Sequence, residues 1–139
     1  MYVELIKIWE AAVKTIADVD GIFVEFLTQP QSVTNGTNMF GLEAGRTDYA
    51  MMLITVAYSN PRDDEKVRVA ITNTVRAQRT VLRTNGYLID FVYPNYADHS
   101  QSPFQSWGAD SVAKLQAASR KYDPTGVFQK KVPGGFKVL

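Results

Sequence analysis

Residues 49–58 read YAMMLITVAY and form the most apolar strand-like stretch of the chain. A sheet covered on one side alternates apolar and polar residues along each strand. This stretch does not alternate. Met51, Leu53 and Ala57 fall on one face, and Met52, Ile54, Val56 and Tyr58 on the other. Both faces of the strand therefore read as buried, and that reading decides what kind of fold the rest must build.

Upstream, residues 22–28 (IFVEFLT) are β-branched and aromatic and predict a second strand, ended by Pro30. Between the two strands, residues 29–48 hold Gly, Asn, Ser, Thr and Gln in quantity and read as a long loop with a turn at Asn35-Gly36. Before them, Leu5, Ile8, Trp9, Ala12, Val13 and Ile16 lie at helical spacing across residues 3–18, and Asp20-Gly21 stops that helix. Downstream, Asn60-Pro61 breaks the chain. Asp63, Asp64 and Glu65 then open a helix where the macrodipole favours negative charge. Its apolar stripe is Val67, Ala70, Ile71, Val75, Val81 and Leu82, and it ends near Asn85-Gly86. Residues 87–93 (YLIDFVY) predict a third strand, with Tyr87, Ile89, Phe91 and Tyr93 facing one way and Leu88 and Val92 the other. Residues 94–107 are irregular, a last helix spans 109–121, and turns fall at Asp123-Pro124-Thr125-Gly126 and Pro133-Gly134-Gly135.

The order helix, strand, strand, helix, strand, helix implies an α+β fold, with a mainly antiparallel sheet and helices packed on one face. A chain of 139 residues fits one domain over 1–139. It divides into a sheet-and-helix part, 1–93, and a C-terminal segment, 94–139. Two helices cover one face of such a sheet. The second face calls for a partner domain, a second copy of the chain or a bound ligand, unless the loops and last helix fold over it.

Composition excludes several classes. Apolar residues make up 45% and charged residues 21%, and 15 basic residues against 14 acidic leave a net charge of +1, with no clustered positive charge for nucleic acid or an anionic membrane. No cysteine is present, which removes disulfides, thiolate chemistry and cysteine-ligated metals but does not fix the compartment. One histidine, His99, cannot make a histidine-rich metal site. There is no transmembrane-length apolar run, and the N-terminus MYVELIKIWE lacks a signal-peptide pattern. The triplet Asn35-Gly36-Thr37 is a glycosylation sequon in a loop-like stretch, a pattern that also arises often by chance.

From Tyr93 the chain carries an ordered set of motifs: Tyr93, Asn95, Tyr96, Ala97 and Asp98; Gln101; Trp107-Gly108; Leu115; Lys121-Tyr122-Asp123-Pro124; Val127-Phe128; and Val132 to Phe136. This set resembles the C-terminal end of berberine-bridge-type FAD-linked oxidoreductases, in their fungal branch. Phe40-Gly41-Leu42 and the strand at 49–58 resemble the same family's substrate domain. The resemblance implies a sheet-and-helix domain that covers a flavin held by a separate domain. FAD is thus implied by resemblance only, since the flavin domain has no counterpart here and tight FAD binding by this chain alone is not expected. The implied partners are a small-molecule substrate and either a separate flavin-domain chain or a second copy.

On that resemblance Tyr96 matches a tyrosine that acts as catalytic base. A phenol titrates near pH 10, so the role needs neighbouring positive charge or hydrogen-bond donors. Asn95, Tyr96 and Asp98 fall on the flavin-facing loop. Asn95 would bond flavin or adjacent backbone, and Asp98 would orient the tyrosine loop or, as its favoured role, cap backbone amides. Thr28 and Gln29, at the end of the first strand, together with Phe91 and Tyr93, are the substrate-facing candidates. Packing accounts for the aromatic pair equally well. No metal ligand is expected. Two rival readings stand beside this one: a free-standing, flavin-independent cyclase, isomerase or ligand-binding protein, complete from Met1, and a truncated non-catalytic chain that pairs through its open face.

Overall fold

A computed structural model describes residues 1–138 of the protein. They form two compact units, one of residues Met1–Pro30 and Ala50–Ile89, the other of Gln31–Tyr49 and 90–138.

The first unit holds helix α1 (Tyr2–Thr15), strands β1 (Phe23–Pro30) and β2 (Ala50–Ala57), and helix α2 (Asp64–Thr84). The strands pair antiparallel from Phe23 opposite Ala57 to Pro30 opposite Ala50. Side chains alternate across a strand, so this register puts Val24, Phe26 and Thr28 beside Val56, Ile54 and Met52 on one face. That face meets the helices. Ile16, Val19 and Val67 are buried, and Ile22, Val24, Val56, Tyr58, Ala70 and Ile71 pack against them. Leu5 is fully buried on α1, and Trp9 and Tyr2 stack on Phe26 with ring centroids 6.4 Å away in both cases.

The predicted boundaries of α2 hold because its start and stop are chemical. The Asn60 side chain accepts from the Arg62 amide at 3.0 Å and opens a 3-10 turn over Pro61–Asp63. At the other end the amide of Tyr87 donates to the Leu82 carbonyl at 2.9 Å, closing the helix past Gly86. Two polar residues sit within the apolar stripe, Thr74 and Gln78, both buried. Thr74 Oγ1 donates to the Ala70 carbonyl at 2.7 Å, and Gln78 Nε2 donates to the Leu5 carbonyl at 3.0 Å, joining α2 to α1. Each is satisfied, as a buried polar group must be.

Two expectations are corrected. The opposite face of the sheet is only partly covered: Phe23 is 55% and Leu27 39% exposed there, Thr55 and Ala57 are exposed too, and Met51 and Leu53 are half-buried. Residues 87–93 do not form a strand, and the described sheet has two strands. Instead of finding a neighbouring strand, the backbone of Val92 is satisfied by side chains. Its amide donates to Ser106 Oγ at 2.9 Å, and its carbonyl accepts from Trp107 Nε1 at 3.1 Å. The α+β class and the antiparallel pairing stand.

The second unit contains helices α3 (Pro103–Ser106), α4 (Ala109–Tyr122) and α5 (Val127–Lys130). Its packing centre is aromatic. Phe40 contacts Phe91 at 5.6 Å, Tyr93 at 6.4 Å and Trp107 at 5.0 Å between ring centroids, and Phe104 contacts Trp107 at 5.0 Å. Trp107 is only 7% exposed. The Asp123 carboxylate accepts from the amides of Val127 at 2.7 Å and Phe128 at 2.9 Å, satisfying the first turn of α5. The chain end lies back on these helices: Gln116 Nε2 donates to the Val138 carbonyl at 3.0 Å, and the Val138 amide donates to Gln129 Oε1 at 2.9 Å.

Candidate functional site

The motif segment from Tyr93 to Gln101 closes on itself through local bonds. Pro94 follows Tyr93, and the Tyr96 amide donates to the Tyr93 carbonyl at 3.1 Å. This is a β-turn with proline at its second position, where proline's fixed φ suits the turn. Asn95, at the third position, sends its amide back: Nδ2 donates to the Tyr93 hydroxyl at 2.9 Å. The rings of Tyr93 and Tyr96 meet edge to face, with centroids 5.1 Å apart and planes at 84°. Tyr96 is 43% exposed, and its hydroxyl has no hydrogen-bond partner among the described residues.

The second half of the segment is a clasp. The Asp98 amide donates to Gln101 Oε1 at 2.9 Å, and the Gln101 amide donates to the Asp98 carbonyl at 2.9 Å. The Asp98 carboxylate accepts from the Ser100 amide at 2.9 Å and from the Ser100 hydroxyl. Asp98 thus caps backbone. His99 Nδ1 lies 3.3 Å from Asp98 Oδ2, with the imidazole almost wholly in solvent. Gln101 has no assigned role in the sequence reading. Its position in the motif is the only sequence signal that could have marked it.

The Ser100 hydroxyl and amide hold the Asp98 carboxyl below its ordinary value of 3.8. A carboxylate with a depressed folded-state pKa contributes stability above its unfolded value and loses it as pH falls through the folded one. The clasp should therefore be intact from neutral pH down to about 4 and loosen only below that. NMR titration of the Asp98 side-chain carbonyl should give a midpoint below 3.8; a midpoint at or above the ordinary value would contradict the capping geometry.

The remaining candidates divide between the units. Phe91 and Tyr93 both rest on Phe40, in the same unit as the motif loop. Thr28 and Gln29 belong to the other unit, at the end of β1. As consecutive strand residues they point to opposite faces. Thr28 shares the helix-covered face with Tyr2, whose hydroxyl lies 3.1 Å from Thr28 Oγ1. Gln29 lies on the open face with Phe23 and Leu27. The structure thus links Phe91, Tyr93, Asn95 and Tyr96 through Phe40 and the Tyr93 side chain, gives Asp98 its bonds within the clasp, and separates Thr28 from Gln29.

A hollow of about 420 Å³ lies at the start of α4, lined by Gly41, Trp107, Gly108, Ala109, Asp110 and Ser111. None of the candidate residues lines it. Among the described residues no group of three or more His, Asp or Glu side chains is placed to hold a metal ion, and no helix is long and apolar enough to cross a membrane.

The chain is similar to fungal FAD-dependent enzymes. It is 38% identical over 104 residues to the FAD-dependent monooxygenase drtC of Aspergillus calidoustus, a match covering 75% of this chain and 20% of that protein. It is 31% identical over 107 residues to the FAD-dependent monooxygenase sdcF of Emericella nidulans, covering 77% of this chain and 22% of the relative. It is 29% identical over 145 residues to the bifunctional solanapyrone synthase of Alternaria solani, covering 99% of this chain and 28% of the relative. The chain thus spans between a fifth and just over a quarter of these relatives. No family model and no solved structure matches it.

Proposed function

We propose that this chain is the substrate-domain end of a berberine-bridge-type FAD-linked oxidoreductase, acting on a secondary metabolite, alcohol or sugar. The observation that carries the reading is the motif loop. It is tied by its own backbone and side chains, and it leaves Tyr96 exposed, with its hydroxyl unbonded among the described residues. The similarity to FAD-dependent monooxygenases over most of the chain supports it.

The loop's polar groups are of the kind that would meet one edge of a flavin. Asn95 Nδ2 is engaged by Tyr93, which leaves its Oδ1 to accept from a ring N–H. Tyr96 Oη adds a group that both donates and accepts. Among the described residues no glycine-rich turn leads from a strand into a helix to cradle a diphosphate. The rest of the cofactor's site would come from elsewhere. A bound FAD would supply the hydride acceptor. The chain's residues would then do the positioning: Tyr93 and Asn95 fix the loop, Asp98 and Gln101 hold its base, and Tyr96 takes the substrate's hydroxyl proton. That proton transfer needs donors or positive charge beside the Tyr96 hydroxyl, to which nothing among the described residues bonds.

A chimera tests this. The matching segment of the Aspergillus calidoustus monooxygenase would be replaced by this chain. The product should stay yellow, with flavin absorbance at about 450 nm. Tyr96→Phe in it should lower kcat by roughly a hundredfold while the flavin is retained. A chimera that folds but is colourless, or a Tyr96→Phe variant with an unchanged rate, would sink the proposal. FAD-induced stabilisation of the isolated chain should be weak or absent. A flavin-independent cyclase or binding protein would instead show ligand-dependent stabilisation of the colourless chain.

A further inference from the structure

We propose that Asn35 is an acceptor site for N-linked oligosaccharide, modified when the chain passes through the lumen of the secretory pathway. The sequon Asn35-Gly36-Thr37 alone is a weak signal. The structure adds four independent features. Asn35, Gly36 and Thr37 are all exposed, within the loop Gln31–Tyr49. The Thr37 hydroxyl donates to Asn35 Oδ1 at 2.7 Å, and the Thr37 amide donates to the same oxygen at 3.1 Å. Asn35 Nδ2, the atom that would be glycosylated, has no hydrogen bond among the described residues. Finally, the supporting bonds are local. The Gly36 amide donates to Thr34 Oγ1 at 3.0 Å, Asn38 Nδ2 donates to the same oxygen, and the Phe40 amide donates to Asn38 Oδ1 at 2.9 Å. These bonds all lie within residues 34–40. Because the folded site is exposed, a glycan there displaces no packed side chain.

The chemistry requires these features. An amide nitrogen is a poor nucleophile because its lone pair is delocalised into the carbonyl. Two donors on Asn35 Oδ1 draw density onto that oxygen and acidify the Nδ2 protons. In the transfer, Nδ2 forms a bond to the anomeric carbon of an oligosaccharide carried on a polyprenyl diphosphate. The bond from that carbon to the diphosphate oxygen breaks, the diphosphate leaves with the electron pair, and one Nδ2 proton passes to a base of the transferase. No oxidant or reductant is involved. The other Asn-Gly pair offers a contrast: Asn85 Nδ2 already donates to the Val81 carbonyl at 2.8 Å, and Tyr87 stands where serine or threonine is required.

The experiment expresses the full chain behind a cleavable secretory leader in yeast and reads electrophoretic mobility before and after peptide N-glycosidase. The expected result is a single upward shift, abolished by the glycosidase, lost in Asn35→Gln and Thr37→Ala, and kept in Thr37→Ser. Chain retained in microsomes is read in the same way after protease protection. Recovery of luminal or secreted wild-type chain at unshifted mobility overturns the proposal. So does a shift that persists in Asn35→Gln.

Discussion

Replacing Trp107 with alanine is expected to destabilise the unit of residues 31–49 and 90–138 by roughly 3–5 kcal/mol, the range for removing a large buried aromatic. Trp107 is 7% exposed and lies between Phe40 and Phe104, each at 5.0 Å. Phe40 in turn holds Phe91 and Tyr93, and Tyr93 holds Tyr96. The indole therefore joins Phe104 to Phe40, from which the ring chain runs on to the motif loop. Its loss leaves a cavity among rings that cannot collapse together, because Phe104 is fixed on the short α3 and Phe40 in the loop before β2. It also leaves the Val92 carbonyl without the Nε1 donor at 3.1 Å. Trp107→Phe separates the two contributions. It keeps an aromatic ring and loses the bond, at a cost of about 1–2 kcal/mol. Urea unfolding gives the magnitudes, and hydrogen exchange should show lost protection in residues 31–49 and 90–138. A Trp107→Ala loss below about 1 kcal/mol would mean that the ring cluster is not a packing centre.

The same residue shows why sequence reading succeeded in some places and failed in others. Helices α2 and α4 are legible because their signals are local: Asn60-Pro61 and the acidic first turn at one end of α2, the stripe from Val67 to Leu82 along it, and the Asp123-Pro124-Thr125-Gly126 turn after α4. The segment YLIDFVY carried an equally good local signal for a strand and does not form one. Whether a β-prone segment pairs depends on a neighbouring strand being available, and here Ser106 and Trp107 take the backbone of Val92 first. Those partners are 14 and 15 residues away, and no periodicity announces them. Both faces of β2 are apolar in sequence, but burial is a property of what lies opposite, and on its outer face Ala57 stays exposed while Met51 and Leu53 are only half-buried. Gln78 was invisible for the opposite reason: a glutamine in an apolar stripe reads as a defect until the Leu5 carbonyl is placed against it.

At the candidate site the motif loop was legible as a pattern, whereas its construction was not. The Asp98–Gln101 clasp and the bond from Asn95 to Tyr93 depend on side-chain directions that spacing does not encode. The pairing of Thr28 with Gln29 could have been questioned from sequence, since neighbouring strand residues never share a face. Alternation alone leaves one of them for the open surface, and the register identifies it as Gln29.

Gly41→Ala should be nearly as damaging as the loss of the indole, and for a reason that acts from the other side of the same residue. Gly41 has φ +68°, and a Cβ there would lie 2.3 Å from the Trp107 carbonyl oxygen and 2.9 Å from its carbon. Both are backbone atoms, so no side-chain rotation relieves the clash. The left-handed backbone costs an alanine about 1–2 kcal/mol, and forcing the overlap adds about 1–3 kcal/mol. Gly45 supplies the control within the same loop. Its φ is +76°, and nothing lies within 4 Å of a Cβ built there. Gly45→Ala should therefore carry the backbone cost alone, about 1–2 kcal/mol. The difference between the two variants, measured by urea unfolding, isolates the close approach of the loop to Trp107. Equal losses would show that the approach is not a constraint in solution. A larger loss at Gly41 would assign the glycine of Phe40-Gly41-Leu42 a specific task, which is to let the loop carrying Phe40 reach the backbone at Trp107 so that its ring can fill the space beside the indole.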